Sequence, residues 1–326
     1  MFCDVGYIAY FNSFYSEPAS FIFACFVVGI ALRLIVERRY TALEALALLA
    51  AVVLFASAKP QNSLLGVLLG LWSIRLFWTV LRGLARSLTA GAALVAVGLC
   101  VLHYASTPRY LKHHYYYQAI FFDLLKYSPS PEQDLLDMGL DPGLAKYRGT
   151  NYFTPGAPIG QPEFQVAFFE RMGTSKVVGF YITHPARFVA LLDRISRSAS
   201  TLRPDYLGNF ERKYGFPPGA QSRSFQVWSS LKARWMPARL WVLAAFFALN
   251  LAAAFGVWFR SRSRETRLLA EFYAVLNILW AAQFVVVSAS GEYEVVKHLF
   301  LFELLFDFCL WADIIALASL GSLKRA

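Results

Sequence analysis

Apolar residues gather into seven stretches along this chain, at 19–36, 42–58, 63–81, 88–105, 238–259, 268–288 and 295–320, the second being the shortest. Each is near the ~20 residues that a helix needs to cross bilayer hydrocarbon. The pattern therefore predicts an all-α, polytopic membrane protein with about seven transmembrane helices. Three regions follow. Residues 1–105 hold an N-terminal segment and spans one to four, 106–237 form a mostly helical domain outside the membrane, and 238–326 hold spans five to seven and the C-terminal tail.

Inside the long middle segment, short helical bursts alternate with turn residues, and no strand-like alternation appears. Residues 109–127 put Tyr117, Ile120, Phe121, Leu124 and Leu125 on one apolar face, suited either to the membrane surface with tyrosines at headgroup level or to packing within the domain. Ser130, Pro131, Glu132, Asp134 and Gly139 have the N-cap, N1 proline, acidic first turn and closing glycine of a short helix. Helical patterns resume at 162–172, 174–183 and 185–199, while 148–162 and 203–223, rich in glycine and proline, are irregular.

Charge turns this pattern into a topology. The chain is 57% apolar yet carries 31 Lys and Arg, for a net charge of +10. Arg33, Arg38 and Arg39 follow the first span, whereas the residues before it include Asp4 and Glu17 and no Lys or Arg, which places the N-terminus outside. Alternation then puts Arg82 and Arg86, then Arg260, Arg262, Arg264 and Arg267, then Lys324 and Arg325 in the cytoplasm; Lys59 alone falls in the opposing short loops. The basic 106–237 segment does not contradict this, because the positive-inside bias acts on short loops. No charged leader precedes a short apolar core, so the first span reads as a permanent anchor. With its charge divided in this way the chain has no call for nucleic acid, and membrane lipid or a phosphate-bearing headgroup is the expected partner. Cys3, Cys25, Cys100 and Cys309 make no paired framework and no CxxC spacing, and no metal or cofactor is expected.

Three sets of polar residues stand out. Arg75, Glu303 and Asp307 lie inside spans, where a charge costs roughly 2.5–3.5 kcal/mol on insertion scales. Glu303 and Asp307, four apart, share a helix face that can receive Arg75, line a substrate path or relay ions, with Asp313 further along. Glu17, Glu292, Glu294, Lys297 and His298 cluster at one mouth of the bilayer. There Lys297 and His298 can hold a lipid phosphate, Glu292 and Glu294 can orient an acceptor, and Glu17 or Asp4 can serve as base; the plain alternative is interfacial anchoring of helix ends. His113, His114 and His184 complete the list, but adjacent histidines on a helix diverge and do not chelate alone. GxSxG, Walker and HExxH patterns are absent.

The segment DVGYIAYFNSFYSEPASFIF at 4–23 resembles part of bacterial GT-C-type membrane glycosyltransferases. The runs GLDP at 139–142, GTNYF at 149–153, HPARFVALLDR at 184–194, YLGNFE at 206–211 and KHLFLFELLFD at 297–307 are similar to the C-terminal part of bacterial glycan biosynthesis hexose transferases. The resemblance spans most of the chain. It implies inverting transfer of a sugar from a polyprenyl phosphate to an acceptor on the outer face of the cell envelope. It also implies a gap, because such enzymes place a catalytic acid in a long first outer loop behind an earlier helix, and only Asp4 and Glu17 lie upstream of the first complete span here. A shortened relative, a half of a split enzyme whose catalytic loop comes from a second membrane subunit, or a relative without catalysis is expected. Against sugar transfer stand a non-catalytic scaffold or glycan-binding subunit, and a transporter. The transporter needs Arg75, Glu303 and Asp307 along an open path, and the chain lacks inverted repeats.

Overall fold

The computed structural model describes residues 1–291 and 293–323. Glu292, Lys324 and Arg325 lie outside the described residues. The described part is helical with no strand, as an all-α polytopic membrane protein should be. It opens with a short helix, α1 (Val5–Ile8), followed by four long helices, α2 (Glu17–Val36), α3 (Ala42–Ser57), α4 (Ser63–Val80) and α5 (Gly83–Ala105). The middle segment carries α6 (Arg109–Tyr117), α7 (Pro131–Asp137), α8 (Pro162–Phe164), α9 (Thr174–Thr183), α10 (Pro185–Ser196) and α11 (Val227–Trp235). The chain then returns to long helices, α12 (Leu240–Arg260) and α13 (Arg264–Ala289), and reaches α15 (Phe300–Leu323) through the single turn α14 (Val295–His298).

All seven apolar stretches are helices. Five of these, α2, α4 with its leading turn from Pro60, α5, α12 and α13, are each long and apolar enough to cross a membrane. Among the described residues two do not meet that measure: α3 has only 16 residues, and α15 carries Glu303, Asp307 and Asp313. Many apolar side chains face outward, among them Leu43, Leu84, Leu249 and Phe259, each at least 70% exposed, as they must where lipid is the solvent.

Ion pairs define the two ends of the bundle. At one end Arg33 meets Glu44 at 3.2 Å and Arg38 meets Glu265 at 3.5 Å, while Arg264 lies over the Tyr40 ring. At the other, Glu17 at the start of α2, Lys59 between α3 and α4, Ser290 after α13 and His298 before α15 share one level, joined by bonds described below. We call this level the domain face.

The middle segment packs against this bundle through α10, which lies on α12 and α13. Its core is aromatic. Helix α6 continues as a π-turn over Gln118–Leu124, and Tyr117, Ile120, Phe121 and Leu125 are fully buried. Tyr117 and Phe121 pack at an angle against Phe164 and Phe168. The apolar face of 109–127 is therefore used inside the domain and not on a membrane surface. The short helix over Pro131–Asp137 forms, but Ser130 makes no capping bond with its side chain; Ser128 Oγ accepts from Ser130 N instead. Gly139 closes the segment at φ +65°, a conformation that favours glycine.

Candidate functional site

At the domain face, Lys59 donates to Glu17 Oε1 at 2.7 Å and to His298 Nδ1 at 3.3 Å. An ammonium can only donate, so this ring nitrogen accepts and the imidazole is neutral there. Gln61 Nε2 reaches Ser290 Oγ at 3.5 Å. Lys297, in the single turn α14, forms an ion pair with Glu294, the residue just before that turn, and lies 4.6 Å from the centre of the Tyr15 ring. Glu17 is buried at 4% exposure, and the Lys59 and Lys297 side chains are each 12% exposed.

Tyrosines from the other elements close around these charges. Tyr206 lies near Glu294 and Tyr15; burial first, then the Glu294 charge, holds its phenol well above the ordinary range, so it keeps its proton. Burial and then the Glu17 carboxylate likewise raise Tyr115. His114 comes down from the middle segment with its pKa lowered, first by burial and then by the Lys297 charge, and it sits against Tyr152 and Phe153. The loop after α13 reaches this roof at Gly291 (φ +99°), where an added Cβ would lie 2.9 Å from Gln118 C. Tyr293 then packs edge-on against Phe122 and at a tilt against Phe153.

A second buried cluster sits one to two turns into α15. Asp307 Oδ2 accepts from Tyr7 Oη at 2.7 Å and Trp228 Nε1 at 2.5 Å, and Asp307 Oδ1 from Lys232 Nζ at 2.5 Å. Lys232 also pairs with Glu303. All three charged side chains are at most 1% exposed. Asp4 belongs to the same junction: its Oδ1 accepts from Gly6 N at 2.8 Å, capping its own helix, and its Oδ2 from Ser229 N at 2.9 Å, in the first turn of α11. The N-terminal segment and α11 are thus tied to each other and to α15.

Set against expectation, the structure brings Glu17, Glu294, Lys297 and His298 to one end and places Asp4 apart from them, in the capping junction. Arg75 does not meet Glu303 or Asp307. It pairs with Glu271 of α13 at 3.1 Å, because α4 packs on α13, while the two α15 carboxylates take their cation from the middle segment. Asp313 accepts from Tyr273. His113 stacks on Phe169 and His184 pairs with Asp137 at 3.2 Å. Lys232, Tyr7, Trp228, Tyr206 and Glu271 were not singled out by sequence reasoning. Glu271 alone had a signal, as the one charged residue of the predicted span 268–288.

A family model described as the YfdI N-terminal transmembrane domain matches residues 1–325. The chain belongs to that family. No curated protein and no solved structure matches it. The family description names a transmembrane domain, in agreement with the helices found, and names no transfer chemistry.

Proposed function

We propose that this chain handles a polyprenyl-phosphate-linked sugar at the domain face, transferring the sugar or helping its transfer during assembly of a bacterial cell-surface glycan. In this reading the domain face is the outer face of the cell membrane, the N-terminus lies outside, the 106–237 segment is extracytoplasmic and the C-terminus is cytoplasmic. One observation carries it: two lysine–carboxylate pairs, Lys59–Glu17 and Lys297–Glu294, bracket His298 at the membrane level under a roof of tyrosines. A phosphate arriving with its polyprenyl chain in the bilayer competes with Glu294 for Lys297 and receives a hydrogen bond from His298. Glu294, released, orients the acceptor with Tyr206 beside it, and the tyrosine faces stack on sugar. Glu17, once free of Lys59, takes the proton of the acceptor hydroxyl. The acceptor oxygen then bonds to the anomeric carbon, and the carbon–oxygen bond to phosphate breaks with its electron pair leaving on the polyprenyl phosphate. Glu292 would join Glu294 at the acceptor.

A second reading draws on a specific observation too. Asp4 is spent on two backbone N–H groups, and Glu17 is buried against Lys59, so both upstream carboxylates are engaged. That favours a subunit that binds the lipid-linked sugar while a second membrane protein supplies the base. The full chain in nanodiscs separates the possibilities. Lys297→Ala with His298→Ala should weaken binding of polyprenyl-phosphate-linked hexose at least tenfold, about 1.4 kcal/mol; unchanged binding would sink the site. If the parent transfers sugar unaided and Glu17→Gln abolishes transfer while keeping binding, the enzyme reading stands. Binding without transfer, together with a co-purifying membrane partner, selects the subunit.

A further inference from the structure

Helix α11 has its polarity inside out. Its inward positions are Trp228, Ser229 and Lys232, the last 4% exposed and bonded to Glu303 and Asp307. Most of its large apolar side chains point outward instead: Val227 is 80% exposed and Trp235 70%, with Leu231 half exposed between them and Phe225 just before the helix at 80%, and Ser230 and Arg234 are exposed beside them. A helix on a water-exposed domain shows the opposite arrangement.

Its depth explains this. Lys232 reaches Glu303 and Asp307, while Trp228 reaches Asp307 and lies 5.4 Å from Trp311. Residues 303 and 311 are about 5 and 16 Å along α15 from Phe300 at a rise of 1.5 Å per residue. The start of α15 adjoins the domain face, since His298 there touches Lys59. The start of α12 gives the same level from the other side: Phe246, six residues along from the first residue of that helix, packs against Phe306. So α11 runs beside the first three turns of α15, below the level of the helix ends, where its outward face meets hydrocarbon.

We propose that α11, at the end of the otherwise extracytoplasmic 106–237 segment, is a re-entrant helix in the domain-face leaflet and that its outward groove seats a phospholipid of the surrounding bilayer. Phe225, Val227, Leu231 and Trp235 line this groove together with Arg223 and Arg234. Acyl chain lies along the apolar residues, and the two guanidiniums take the phosphate; the Arg234 guanidinium also lies over the Trp235 ring at 5.8 Å. The inward ion cluster holds the helix at depth while its outward face is solvated by lipid. This inference does not depend on the sugar-phosphate reading.

A nitroxide at Leu231→Cys, in the full chain with its four native cysteines replaced by serine, tests the immersion in nanodiscs. Collision with oxygen should exceed collision with a water-soluble nickel chelate at least threefold, as for a lipid-facing label at Leu249→Cys on α12. A chelate-dominated result, like that of a label at Glu132→Cys, would overturn it. Native mass spectrometry tests the lipid. Protein with both arginines should retain one more phosphatidylglycerol than Arg223→Gln with Arg234→Gln, and millimolar inorganic phosphate should not displace it. Equal retention, or displacement by free phosphate, would overturn the lipid seat. Unchanged thermal unfolding of the double variant separates loss of the site from loss of fold.

Discussion

Replacing Lys232 with methionine removes the cation shared by Glu303 and Asp307 while preserving most of the side-chain volume. The two carboxylates are fully buried and four residues apart on one face of α15. Breaking a buried ion pair by deleting one partner costs about 3–5 kcal/mol, because the remaining charge has neither water nor a counter-ion. Asp307 keeps its hydrogen bonds from Tyr7 and Trp228, so the loss belongs near the lower limit, about 3 kcal/mol. At about 2–4 °C per kcal/mol for larger domains, the midpoint should fall by roughly 6–12 °C. Thermal unfolding in nanodiscs, followed by circular dichroism, reads this directly. Adding Glu303→Met should recover more than half of the loss, since apolar groups of similar volume replace buried pairs at little cost. A shift under about 1 °C in the single variant, or no recovery in the double, would show that the cluster does not hold α11 to α15.

Further consequences are open to measurement. Asp4→Ala removes a cap from two helix starts at once and should cost about 1–2 kcal/mol, with protease sensitivity rising in both the N-terminal segment and α11. Gly291→Ala forces a Cβ against the Gln118 backbone at a positive φ and should cost about 1–3 kcal/mol or more; hydrogen exchange should show the loosening at 114–124 and not at the far end of the bundle. His114 has a lowered pKa in the folded state, so that state binds fewer protons than the unfolded chain below the ordinary pKa of ~6.5. The stability it contributes is present above that value and lost as pH falls through it. Stability of the parent between pH 7 and pH 5 should therefore decline more than that of His114→Asn, and equal slopes would remove this role.

The spans were legible because lipid imposes length and hydropathy on each segment by itself, independent of its neighbours. Side-chain pairing obeys no such local rule. Arg75 had to be matched with a partner before α4 was known to lie on α13, and Glu271 sat unremarked in the first turn of a predicted span. Lys232 was hidden further, because its segment, SSLKARW, reads as an ordinary polar helix; only its depth beside α15 makes the lysine the buried residue and the tryptophan the exposed one. Lys59 looked like a stray charge in a short loop, yet it is the link between Glu17 and His298. By contrast, the spacing of Glu294, Lys297 and His298 predicted their common location, since they lie within one turn.

The central claim, that a lipid-linked sugar phosphate sits at the domain face, is tested most directly by photo-crosslinking. A polyprenyl-phosphate-linked hexose bearing a diazirine next to the phosphate should label Tyr15 and residues 293–298, and excess unlabelled donor should suppress that labelling. Labelling spread over the outward faces of the spans, or concentrated near Arg33 and Arg264 at the opposite end, would contradict it.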